Sequence, residues 1–64
     1  MIYINGIAFE KDEIKLSEYL SENNLAVTRI AVELNGEILP KDKYDKTVLI
    51  EGDRVEIVNF VGGG

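Results

Sequence analysis

The 64-residue sequence contains no cysteine and no histidine. The first absence excludes disulfides, thiolate metal sites and cysteine nucleophiles. The second removes the commonest metal ligand and the usual base at neutral pH. Together they exclude a Ser-His-Asp triad, a Cys-His pair and a zinc centre built on those ligands. Tryptophan is also absent, and proline occurs once, at Pro40. No apolar stretch approaches the roughly 20 residues that a spanning helix needs, and the opening does not read as a secretory leader. Positive charge is scarce: 7 Lys and Arg stand against 12 Asp and Glu, a formal net charge of -5. Such a chain repels phosphate backbones and anionic lipid, so neither nucleic acid nor membrane is the expected partner. The excess acid suits encounter with a basic protein surface, or serves solubility alone.

What is present is the pattern of one small folded domain. Hydrophobic residues make up 45%, too many for a disordered segment. Ile2 and Ile4 alternate with Tyr3, and Asn5-Gly6 then supplies the two positive-φ positions of a type I′ hairpin turn. Ile7 to Phe9 is the returning strand, and Glu10 to Glu13 reads as a charged, solvated connection. Leu16, Tyr19 and Leu20 form one apolar stripe at helical spacing, which predicts a helix over residues 16–23 stopped by Asn23-Asn24. Arg29 to Leu34 alternates as a strand with one buried face, and Asn35-Gly36 is a second hairpin turn into Glu37–Leu39. Pro40 ends that strand, because it has no N–H for a ladder. Lys41 to Lys46 is polar and irregular with Tyr44 turned inward, and Thr47 to Ile50 is too short to assign. After the turn Glu51-Gly52-Asp53, Arg54 to Val61 is the last strand. The order ββαββ, with a short extra strand, predicts an α+β β-grasp fold: a mixed sheet packed on one helix, its first and last strands adjacent at the centre. Residues 1–61 form this domain and residues 62–64 a flexible glycine tail.

Little in this domain suggests catalysis. Asp42 with Asp45, or Glu51 with Asp53, read as turn and surface carboxylates, since so small a core leaves little room for a water-excluding cleft. Ser17 and Ser21 have no base to activate them, and no calcium loop or phosphate-binding glycine motif occurs. The tail is different. Three successive glycines after Phe60-Val61 are poor strand formers. They read either as a frayed terminus or cloning remnant or as a side-chain-free tether. A tether of three residues reaches about 10 Å and places the Gly64 carboxylate inside another protein's active site. By alternation Val58 and Phe60 point away from Val55 and Ile57. With Tyr3 and Ala31 they form either an apolar docking patch on the open sheet face or a cover for the edge of the core.

The glycine ending on this strand order resembles the ubiquitin-like sulfur carriers, and among them the ThiS family of thiazole biosynthesis. The residues that carry the resemblance are Ile2-Tyr3-Ile4-Asn5-Gly6, Leu16-Ser17-Glu18-Tyr19-Leu20 and Val32-Glu33-Leu34-Asn35-Gly36-Glu37, with Pro40 shortly after. To these are added Glu51-Gly52-Asp53-Arg54-Val55-Glu56-Ile57 and Phe60-Val61-Gly62-Gly63-Gly64. The resemblance implies a cytoplasmic protein co-substrate rather than an enzyme, monomeric when free and without a bound cofactor. It implies that a ThiF-like adenylyltransferase uses ATP and magnesium to convert the Gly64 carboxylate to an acyl-adenylate. A sulfur donor fed by a cysteine desulfurase then leaves a thiocarboxylate, and the thiazole synthase ThiG takes the sulfur. Gly62 and Gly63 would thread the active site, and Val58, Phe60, Val61 and Tyr3 would meet partners. The alternatives are the small subunit of molybdopterin synthase, whose relatives tend to be longer and to carry prolines before the glycines, and a non-covalent ubiquitin-like adaptor.

Overall fold

The computed structural model describes residues 1–60. The first hairpin is as short as a hairpin can usefully be: β1 (Ile2–Ile4) and β2 (Ile7–Phe9) flank Asn5 at φ 52° and Gly6 at φ 81°. The second repeats the device, with β4 (Ile30–Leu34) and β5 (Glu37–Leu39) joined by Asn35 at φ 52° and Gly36 at φ 88°. Both turns therefore have the doubly left-handed backbone that matches strand twist. The last strand, β7 (Arg54–Asn59), lies between the two hairpins, giving a five-stranded sheet in the order β2-β1-β7-β4-β5. β1 and β7 run parallel, with Tyr3 beside Arg54 and Ile4 beside Val55; every other neighbour in this sheet is antiparallel. This is the predicted mixed sheet with the chain's first and last strands adjacent at its centre.

The helix α1 (Leu16–Glu22) lies across one face of that sheet. It is only 7 residues long, below the length at which helices are stable alone, so packing holds it. Leu16 and Leu20 are buried among Ile2, Ile4, Ile30, Val32 and Val55. Tyr19 meets Phe9 edge-on at 5.7 Å, which extends the core toward β2. The helix stops at Asn23, whose N–H donates to the Tyr19 carbonyl, and Asn24 takes the left-handed turn at φ 55°. Tyr44 is buried, as predicted, on a 3₁₀ turn over Lys41–Lys46.

Two expectations change. Glu10–Glu13 is not wholly a solvated connection, because β3 (Glu13–Lys15) begins inside it and pairs antiparallel with β6 (Val48–Ile50) as a second, two-stranded sheet. The facing pair Ile14 and Leu49 buries completely, which outweighs the charges on either side of Ile14. The last strand ends at Asn59, although the Phe60 N–H still donates to the Arg29 carbonyl at 2.7 Å. Val61 and the glycines of the proposed tail lie outside the described residues.

Candidate functional site

The helix covers one face of the large sheet and leaves the other open. Because facing residues share a side, the pairing registers place Ala8, Tyr3, Arg54, Glu56, Glu33, Ile38, Val58 and Ala31 on that open face. Phe60 follows by alternation. Val58 is 57% and Phe60 52% exposed, so neither serves as a cover for the core. Val58 stands directly opposite Ala31, and the backbone of Phe60 is fixed to Arg29. These three side chains make a small apolar end to the sheet where the chain leads toward the glycines.

Tyr3 does not join them. It sits beside Arg54, four residues earlier on β7, which at about 3.3 Å per residue separates it from Val58 by about 13 Å. The Arg54 guanidinium lies over the Tyr3 ring, 5.0 Å from its centroid, as a cation–π contact. Between the two ends, Glu33 and Glu56 face each other directly. Like charges so placed are mildly destabilising, and among the described residues neither has an ion-pair partner. Ile38, 69% exposed and opposite Glu33, extends the open face. Sequence reasoning missed Ile38, though its alternation with Leu39 in a strand after Asn35-Gly36 was the available signal.

The hairpin asparagines do more than turn the chain. Asn35 Oδ1 accepts the Arg54 N–H at 2.9 Å, and its amide donates to Asp53 Oδ1 at 3.1 Å. Asn5 Oδ1 accepts the Ile57 N–H at 2.7 Å, just where β1 has ended. Each hairpin is thereby fastened to β7. A shallow depression of about 370 Å³ lies between the two turns, lined by Tyr3, Gly6, Asn35, Gly36 and Arg54 among others.

Of the carboxylates weighed as acid–base pairs, Asp53 and Glu51 have structural partners. Asp53 Oδ2 accepts the Ile50 N–H at 2.9 Å and closes the turn before β7. Glu51 receives the Met1 ammonium, and this hydrogen bond holds its carboxyl below the usual range. Both are fold contacts rather than a proton-transfer pair. No helix among the described residues is long and apolar enough to cross a membrane.

Known proteins agree with this architecture and refine its meaning. The family model described as the ThiS family matches residues 2–64. The sulfur carrier protein ThiS of Bacillus subtilis is 36% identical over 66 aligned positions that cover 100% of both chains. A thiazole synthase of Paramagnetospirillum magneticum contains a stretch 44% identical over 45 residues, which is 70% of this chain and 14% of that one. The crystal structure of the thiamine biosynthesis protein ThiS from Geobacter metallireducens has a TM-score of 0.73 at 34% identity, covering 98% of this chain and 97% of that one. The β-grasp sheet, the single covering helix and a family match along nearly the whole sequence lead to one assignment: the chain belongs to the ThiS family of sulfur carriers.

Proposed function

We propose that Gly64 is the residue that carries the sulfur, as a C-terminal thiocarboxylate destined for the thiazole ring of thiamine. The chain is a protein co-substrate and not a catalyst. A carboxylate is a poor electrophile, so the Gly64 carboxyl must first gain a leaving group. A ThiF-like adenylyltransferase supplies one from ATP with magnesium: the carboxylate oxygen attacks the α-phosphorus, pyrophosphate departs, and an acyl-adenylate remains. Sulfur from a donor fed by a cysteine desulfurase then displaces AMP at the same carbonyl carbon. Thiazole synthase receives the sulfur. The lack of cysteine fits this chemistry, because the sulfur rides on the carbonyl and needs no thiol in the carrier. The chain itself binds no cofactor in this scheme.

The observation that carries this reading is the apolar end of the open face. Ala31, Val58 and Phe60 expose a surface with no task in the core, on the strand that leads to Val61-Gly62-Gly63-Gly64. A partner docked there has the glycine segment within reach of its active site. Gly62 and Gly63 admit backbone to a channel that a side chain would block. Tyr3, at the far end of the face, contributes at the margin of such a contact. Intact-mass spectrometry after incubation with the activating enzyme, ATP and a sulfur source tests the assignment. The native chain gains about 16 Da as one oxygen is replaced by sulfur, whereas a chain extended by one residue, or carrying Gly63→Val, does not. Equal gains in all three chains overturn it.

A further inference from the structure

Among the described residues, one edge of β7 is left unpaired beside the apolar end. Backbone groups of alternate residues point to opposite sides of a strand. The Arg54 carbonyl and the Phe60 N–H bond to the β4 side, at Asn35 and Arg29, so residues 54, 56, 58 and 60 face β4. The Val55 carbonyl accepts the Asn5 N–H, so residues 55, 57 and 59 face the lane of β1. But β1 ends early. Its register stops at Ile4 beside Val55, Asn5 Oδ1 takes the Ile57 N–H, and the chain then turns away at Gly6. Beyond that point the Ile57 carbonyl and both backbone groups of Asn59 face an empty lane, without hydrogen-bond partners among the described residues. Val58, Asn59 and Phe60 are all exposed.

We propose that this lane receives an extended segment of the thiazole synthase, laid in line with β1 and hydrogen-bonded to the Ile57 carbonyl and to the N–H and carbonyl of Asn59. The inference rests on the carrier reading above and specifies how the carrier is gripped. The residues that follow Val61 are three glycines, which offer a partner nothing but main chain. An enzyme that takes Gly64 must read that segment through backbone hydrogen bonds. An added strand does so, starting on the free edge of β7 and leading toward the tail. The surroundings specify the side chains of that segment. Val58 on the open face calls for an apolar neighbour, and exposed Asn59 on the opposite side calls for a polar one. A second copy of this chain is a poorer occupant, because it brings another -5 of charge to a face that already holds the opposed Glu33 and Glu56.

Total synthesis of the full chain with an N-methyl group on the Asn59 amide tests the proposal. That amide is outside the β4–β7 ladder, so the thermal midpoint stays near that of the native chain. Affinity for the thiazole synthase of the same organism, by calorimetric titration, falls about tenfold or more, through one lost hydrogen bond and a methyl in the lane. The control is N-methylation at Ala8. Tyr3 and Asn5 donate to β7, so Ile2 and Ile4 face β2, and Ala8 points outward at the far edge of the sheet. Its methylation leaves the affinity unchanged. Hydrogen exchange on the native chain gives a second reading, with the Asn59 amide exchanging rapidly when free and slowing about tenfold or more in the complex. Affinity within about twofold of native for the Asn59 variant overturns the proposal, as does an equal loss at Ala8, an unprotected Asn59 amide in the complex, or self-association of the free chain through this edge. A native chain that fails to gain sulfur mass defeats the carrier reading instead, which keeps the two failures distinct.

Discussion

Val58→Lys separates docking from folding within one side chain. Val58 lies on the open face opposite Ala31 and keeps 57% of its surface in solvent. Full burial of a valine side chain is worth about 1.5–3 kcal/mol, so the exposed part leaves about 1–1.7 kcal/mol for a partner to gain. That corresponds to a roughly 5- to 20-fold share of affinity. A lysine there also sets an ammonium against an apolar contact, which adds to the loss. Within the free protein the substitution is mild. The lysine stem still covers Ala31, and its charge lies near Glu56 and Glu33. The expected cost to the fold is within about 0.5 kcal/mol, or about 4 °C in melting temperature for a domain of this size. The assay is acyl-adenylate formation by the activating enzyme as a function of carrier concentration. A rise of about tenfold or more in the carrier concentration needed, with an intact melt, is the expected result. An unchanged concentration dependence refutes docking through this end of the face. A melting temperature lowered by more than about 10 °C refutes the premise that Val58 is free of the core.

Leu49→Ala tests the small sheet: Leu49 is fully buried against Ile14, so the change costs about 2–5 kcal/mol and lowers the melting temperature by at least about 15 °C. A drop under about 3 °C shows that the β3–β6 pair lies outside the cooperative core. Gly36→Ala meets no atom within 4 Å, yet forces a side chain to φ 88°, so the expected loss of about 1–2 kcal/mol is purely conformational, and Gly36→Asn loses less on the same melt. Glu51→Gln addresses pH. The Met1 ammonium depresses the folded-state pKa of Glu51, so its stabilisation is present above the ordinary carboxylate range and fades as pH falls through the lowered value. Paired melts of the two chains differ slightly at pH 7 and converge on acidification; a difference that grows in acid contradicts this sign.

Much of the fold was legible because its signals are local. Asn5-Gly6 and Asn35-Gly36 specify their turns within two residues, and Leu16, Tyr19 and Leu20 mark the one amphipathic helix. The alternation of Ile30, Val32 and of Val55, Ile57 shows which faces meet the core. The β3–β6 sheet was not legible, since Ile14 stands alone among charges and acquires meaning only when Leu49, 35 residues later, pairs with it. The candidate site divided in the same way. Strand alternation places Val58 and Phe60 on the open face but leaves docking patch and core cover both open until their exposure is seen, and the distance between Tyr3 and Val58 depends on the register of β1 on β7, a long-range property. Nor does any local pattern announce that β1 stops short of the end of β7.

That the last strand occupies the middle of the sheet has a consequence for how the protein is made. Each hairpin closes over a few residues, but the two have no common ladder until β7 lies between them, 50 residues after β1. During synthesis at about 5–20 residues per second the residues of both hairpins are added before those of β7, and the sheet waits for it. Contacts this distant in sequence also slow closure after release, since a long loop must be ordered first. A nascent chain broken off before residue 54 has no central strand, and its hairpins stay apart for proteases to remove. Folding is in this way a check on completion, because no copy can present the open face without having been translated to the segment that leads into the glycines.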